Sequence, residues 1–122
     1  MVFTPINKSE LQTAVDLWIS NNTTAVANHG DINTWDTSLI TDMSDLFKDK
    51  YSFNDDISGW NVSNVTDMRR MFHTAQAFNQ PIGNWNVSNV SNMKEMFANT
   101  QTFNKAINKK PNVTMNGSTY TA

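Results

Sequence analysis

Few residues in this 122-residue chain have the types and spacing that chemistry requires. There is no Cys, so thiolate nucleophiles, thiolate metal sites and disulfides are all excluded. The two histidines, His29 and His73, lie far apart in sequence. His29 reads as the end of a helix. His73 reads as a solvent-exposed residue, because Lys48 and Ala98 stand at the corresponding places 25 residues away on either side. Hydroxyls and carboxylates are scattered, and no nucleophile, base and orienting group can be assembled from them. The chain is therefore expected not to be an enzyme and to use no cofactor. Asp55 and Asp56, with Asp45 and Asp49 nearby, come closest to a set of oxygen ligands for calcium. The pair becomes Gln80-Pro81 and then Lys105-Ala106 in the following periods, and no Gly-rich acidic loop recurs. A solvated acidic corner without a metal is the expectation. Triplets such as Asn61-Val62-Ser63 and Asn64-Val65-Thr66 match the glycosylation pattern, but they arise from the same recurring segment and carry no functional weight.

What must position all these groups is an internal repeat of 25 residues. Trp35, Trp60 and Trp85 fall in step, as do Ile32, Ile57, Ile82 and Ile107. So do Phe53, Phe78 and Phe103, each followed by Asn. Met43, Met68 and Met93 recur, followed by Leu46, Met71 and Met96 and then by Phe47, Phe72 and Phe97. From Met68 to Phe72 the apolar residues sit at i, i+3 and i+4, which predicts a short helix with Thr66 as N-cap and Asp67 in its first turn. The stretch from Ala77 to Trp85 is too rich in Asn, Gly and Pro for a long strand but can hold a few extended residues. Each unit is thus expected to contain a short strand, a corner and a short helix. Stacking buries the face that one unit cannot bury alone, giving ladders of Trp, Phe and Ile and a buried column of Asn54, Asn79 and Asn104. The expected fold class is an α/β repeat, a solenoid of short strands and short helices.

The segment Phe78-Asn79-Gln80-Pro81-Ile82-Gly83-Asn84-Trp85-Asn86-Val87-Ser88-Asn89-Val90-Ser91-Asn92-Met93-Lys94-Glu95-Met96-Phe97 resembles the repeat of the BspA-like family of bacterial surface proteins, and the resemblance covers roughly residues 31–107. It implies a right-handed, leucine-rich-repeat-like solenoid with a strand-lined face. It also implies adhesin-like display at a cell surface, although this sequence shows no signal peptide, lipobox or wall anchor.

The expected organisation is a helical cap over residues 1–30, three repeats over 31–110 and a hairpin cap over 111–122. Leu11, Ala14, Val15, Trp18 and Ile19 mark one face of an amphipathic helix over Ser9 to Asn21. Its start is either a Ser9/Gln12 capping box or the Asn7/Glu10 pair. A second helix is expected from Thr23 to His29, ending at Gly30. Beyond the repeats, Asn116-Gly117 supplies the turn of a hairpin that sets Val113 opposite Tyr120. If it fails to cover Phe103 and Ile107, the open end invites self-association or assembly.

Composition narrows the partners. The net charge is −2, with 9 Lys and Arg against 11 Asp and Glu and no basic run, so nucleic acid is not an expected partner. No stretch approaches a membrane span. Between repeats, Asp55, Asp56, Ser58 and Gly59 become Gln80, Pro81, Gly83 and Asn84 and then Lys105, Ala106, Asn108 and Lys109. A second variable row runs from Ser44 and Asp45 to Arg69 and Arg70 and then to Lys94 and Glu95. From the first row, Asp55, Asp56, Ser58, Gln80, Gly83, Asn84 and Lys105 are the candidate binding residues. A protein or glycan partner is expected for them, and the alternative is a structural part of a larger assembly such as a virion surface.

Overall fold

Two helices open the chain, and both are delimited by asparagine. Helix α1, Lys8–Ser20, starts where extended Asn7 accepts a hydrogen bond from the Glu10 amide at 2.9 Å, so of the two possible caps the earlier one forms. Its buried residues are Leu11, Ala14, Val15 and Trp18. Ile19, expected on that face, is 38% exposed. Asn21 ends α1 through its amide, bonded to the Leu17 carbonyl at 2.7 Å, and starts helix α2, Asn22–His29, by accepting from the Thr24 amide at 3.2 Å. Gly30, with φ at +74°, closes α2; this is the conformation glycine takes without a steric cost. A single 3-10 turn, Ile32–Thr34, follows. The computed structural model describes residues 2–100, 102–105 and 107. The expected hairpin over 111–122 lies outside the described residues.

The expected strand-and-helix solenoid does not form. Among the described residues the only α-helices are α1 and α2 and there is no strand, so neither the α/β class nor a strand-lined solenoid holds. Parallel pairing is limited to two isolated bridges, Asp42 with Asp67 and Asp67 with Asn92. The reason lies in how the amides are shared. The N–H groups of Met43, Asp45, Phe47 and Asp49 donate to the carbonyls of Asp67, Arg69, Met71 and His73 in the next repeat, at 2.8–3.0 Å. The N–H groups between them, on Leu46, Lys48 and Lys50, donate three residues back to Met43, Asp45 and Phe47. One repeat later, Met68, Arg70, Phe72 and Thr74 donate to Asn92, Lys94, Met96 and Ala98 in the same way. A helix would keep every amide within itself and a strand would give none to local turns. Two left-handed residues in each repeat enforce the compromise: Asp45 and Asp49, Arg70 and Thr74, Glu95 and Asn99, all with φ between 54° and 62°. None of them is glycine, so each carries a cost on the order of 1 kcal/mol that the cross-repeat bonds must offset.

The corners are Asx turns. Asp36, Asn61 and Asn86 accept from the amides of Ser38, Ser63 and Ser88 at 2.9–3.1 Å. Asp42, Asp67 and Asn92 accept from Ser44, Arg69 and Lys94 at 2.8–3.0 Å. The local amide is therefore satisfied by Asp67, not by the expected cap Thr66, whose hydroxyl donates to the Thr41 carbonyl.

The core is columnar. Phe47 stacks on Phe72 and Phe72 on Phe97 with ring centroids 5.5 and 5.4 Å apart, beside a second column of Phe53, Phe78 and Phe103. Trp60 is 3% exposed and its indole N–H donates to the Ile32 carbonyl at 2.8 Å; Trp85 repeats this to Ile57. The asparagine column exists but is not buried: Asn54 and Asn79 accept from the backbone amides of Asn79 and Asn104, and Asn54 and Asn104 are exposed.

Helix α1 finishes the first repeat by imitating a preceding one. The carbonyls of Met71 and Met96 each receive a backbone N–H from the repeat before. The equivalent Leu46 carbonyl receives the Gln12 side-chain amide instead, at 3.0 Å. Lys8 donates to Ser44 at 2.8 Å, and Lys50 pairs with Asp16 at 3.1 Å. Each bond falls where the missing repeat would have stood.

Candidate recognition surface

The seven candidate residues separate by what their side chains already do. The Asp55 carboxylate accepts from the Trp18 indole N–H at 2.8 Å, locking α1 onto the first repeat. Asp56 accepts from the Ser58 amide at 2.9 Å and from the Asn33 side chain at 3.3 Å. The Ser58 hydrogen bonds, backbone first, hold its carboxyl below the usual range. Asn33 in turn accepts from the Gly59 amide at 2.8 Å, and a Cβ on Gly59 would come within 3.0 Å of the Asn33 backbone oxygen. Gln80 donates to the Asn54 carbonyl at 2.8 Å. Asp55, Asp56 and Gln80 are therefore stitches between the cap and the repeats or between repeats. Their exposure in the sequence pattern concealed that duty.

The remaining four differ. Ser58 is half-buried and turned to Asp56, whereas Gly83, Asn84 and Lys105 are exposed and no side-chain hydrogen bond or ion pair joins them to the rest of the described residues. They occupy one flank of successive repeats, since Gly83 is the counterpart of Ser58. Among the described residues no group of three or more His, Asp and Glu side chains could hold a metal ion. Asp55 and Asp56 face separate partners. No helix there is long and apolar enough to cross a membrane.

The second variable row carries charge. Arg70 Nε donates to Glu95 Oε1 at 2.9 Å, and both side chains are about a quarter to a third exposed. That hydrogen bond holds the Glu95 carboxyl below its ordinary value, against a smaller opposing effect of desolvation. Arg69 and Lys94 stand in the neighbouring column without an ion pair among the described residues. His73, read as solvent-exposed, is half-buried and its Nδ1 lies 2.9 Å from the Thr74 hydroxyl.

Sequence reasoning missed the N-terminal arm. Residues 2–6 run beside the first repeat, and the Phe3 carbonyl accepts from the Asp36 amide at 2.9 Å. The Phe3 ring stacks on the His29 imidazole with centroids 3.9 Å apart, and both meet the edge of Trp35. An open groove of about 470 Å³ lies between this pair and the first turns of α1. No periodicity marks Phe3, because the arm occurs once. The only available signal was a short apolar run, Val2, Phe3 and Ile6, ahead of the first helix. Leu39 and Tyr51 are also exposed, at 55% and 59%. At the counterparts of Leu39, Asn64 and Asn89 reach back to the carbonyls of Ser38 and Ser63; Leu39 has no preceding repeat to reach.

Residues 13–120 match the family described as Mycoplasma protein of unknown function, DUF285. No curated protein and no solved structure matches the chain.

Proposed function

Since the chain belongs to the DUF285 family, whose description assigns no activity, we propose a function from its own surface: a non-catalytic module that binds a protein partner through the exposed flank of its repeats. One observation carries this reading. Buried and hydrogen-bonded positions recur from repeat to repeat, whereas Gly83, Asn84 and Lys105 depart from their counterparts and their side chains hold nothing in place among the described residues. A surface whose shape is fixed by neighbouring backbone and whose side chains are free to vary suits recognition, because the scaffold is ordered before binding and little entropy is lost on contact. The resemblance to BspA-like surface repeats supports the same direction.

A photo-crosslinking side chain at position 84 tests the reading, with the same group at Asn99 as control. A specific adduct from position 84 that disappears in Ser58→Arg/Lys105→Glu supports it. Identical adducts from both positions, or persistence in the double variant, would overturn it.

A further inference from the structure

Beside the N-terminal arm, polar groups without a partner among the described residues line a space of ligand size. Its volume of about 470 Å³ falls in the ~300–1,000 Å³ span of small-ligand sites. Phe3, Asn7, Ser9, Glu10, Thr13 and His29 line it. The Asn7 side chain is occupied by the helix cap and the Thr13 hydroxyl by the Ser9 carbonyl. The Glu10 carboxylate and both nitrogens of His29 have no partner among the described residues. Glu10 is the only residue of the lining that carries a formal charge with His neutral, since Lys8 is turned to Ser44 and Asp42. The lining also includes an aromatic pair, the Phe3 ring stacked at 3.9 Å on the His29 imidazole, which meets Trp35 edge-on.

We infer that this groove receives an arginine side chain of a partner protein. A guanidinium is planar, so it can pack on an outer face of this stacked pair while its forked N–H groups meet a carboxylate with two parallel hydrogen bonds. The neutral imidazole adds an acceptor at the wall. A lysine ammonium would satisfy the charge but offers neither a planar face for stacking nor a forked donor pair, and an acidic group would meet Glu10 with repulsion. The inference rests on reading the chain as a binding module and assigns that module a second contact, away from Asn84 and Lys105.

Titration of the isotope-labelled full chain with acetyl-Gly-Arg-Gly-amide, followed by NMR, tests it. The Lys and Glu peptides of the same form are the comparators. Saturable shifts of Glu10, Thr13 and His29 are expected with the Arg peptide, weaker by several-fold with Lys and absent with Glu. Glu10→Gln should weaken the Arg peptide about tenfold while the chain stays folded, since the cap uses the residue's backbone amide and the loss of one first-turn charge lowers stability only slightly. No saturable shift, equal shifts for Arg and Lys or for Arg and Glu, or unchanged binding in Glu10→Gln would each overturn the inference. Asn84→Arg should leave this titration untouched, so failure at the repeat flank and failure at the groove are read separately.

Discussion

Helix α1 and the segment 68–74 carry the same apolar spacing and build different backbones from it. In α1, Leu11, Ala14, Val15 and Trp18 are buried on a thirteen-residue helix whose amides bond within it. In the repeat, Met68, Met71 and Phe72 are each 0% exposed, yet alternate amides leave for the next repeat and Arg70 and Thr74 turn left-handed. Apolar period therefore names the side chains that are buried and is silent on where the backbone hydrogen bonds go. The deciding factor is a neighbour. Helix α1 has one exposed side and must satisfy its own amides, whereas every inner repeat finds a copy of itself offering carbonyls in register.

The harshest way to break this comparison is to remove a side chain the columns depend on. Trp60→Ala should cost about 3–5 kcal/mol, since the indole is buried against Trp35 and Phe47 and its N–H holds the Ile32 carbonyl. Equilibrium denaturation measures it. A loss below about 1 kcal/mol would mean that the shared amides alone hold the repeats together, since the transfer term for a large aromatic would then be missing.

Next in size is the junction between the two regions. Gln12→Leu keeps the helix propensity but strips the Leu46 carbonyl of its only side-chain donor, and a partly buried unpaired carbonyl costs about 1–2 kcal/mol. An unchanged denaturation midpoint would show that α1 covers the first repeat by apolar contact alone.

The sequence disclosed the columns because Trp, Phe, Met and Ile recur at one spacing and burial follows side-chain type. It disclosed both helices because Leu11, Ala14, Val15 and Trp18 keep helical spacing and because Asn7 and Gly30 are local signals. It concealed the turn geometry because Asp45, Arg70 and Glu95 look like ordinary solvent-facing helix residues, and no sequence rule places Arg or Thr at positive φ. The candidate surface was half legible for a related reason. Variability between repeats picks out Asn84 and Lys105, whose side chains bond to none of the described residues, but Asp55 varies because only the first repeat meets Trp18. The groove was invisible, since Phe3, Glu10 and His29 belong to segments that occur once.

A sharper contrast comes from one substitution made in both regions. Thr13 lies in the interior of α1 and Thr74 has φ at 59°. Thr13→Gly should cost about 0.3–0.5 kcal/mol through lost backbone entropy. Thr74→Gly should cost nothing or gain up to about 1 kcal/mol, because the β-branched residue is released from a left-handed strain. Thermal melts of the two variants should therefore move apart, and equal destabilisation would contradict the left-handed turn.

The smallest effect lies in the corner acceptors, where the first repeat uses a charge and its successors do not. Asp36, Asn61 and Asn86 accept the same amide bond, but only the aspartate titrates. The Ser38 side chain and then the Ser38 amide hold its carboxyl below the usual range when folded. A folded-state value below the unfolded one means that the unfolded chain takes up the proton first as pH falls. The stability this contributes is full above the ordinary carboxylate value and disappears as pH drops through the depressed one. Asp36→Asn retains the acceptor and removes the charge, so stability at neutral pH should stay nearly constant while the acid limb of the stability profile becomes shallower. Thermal melts across the acid range measure both parts. A large loss at neutral pH would show that the first corner needs the carboxylate itself, and would separate it from the corners of the later repeats, where an amide suffices.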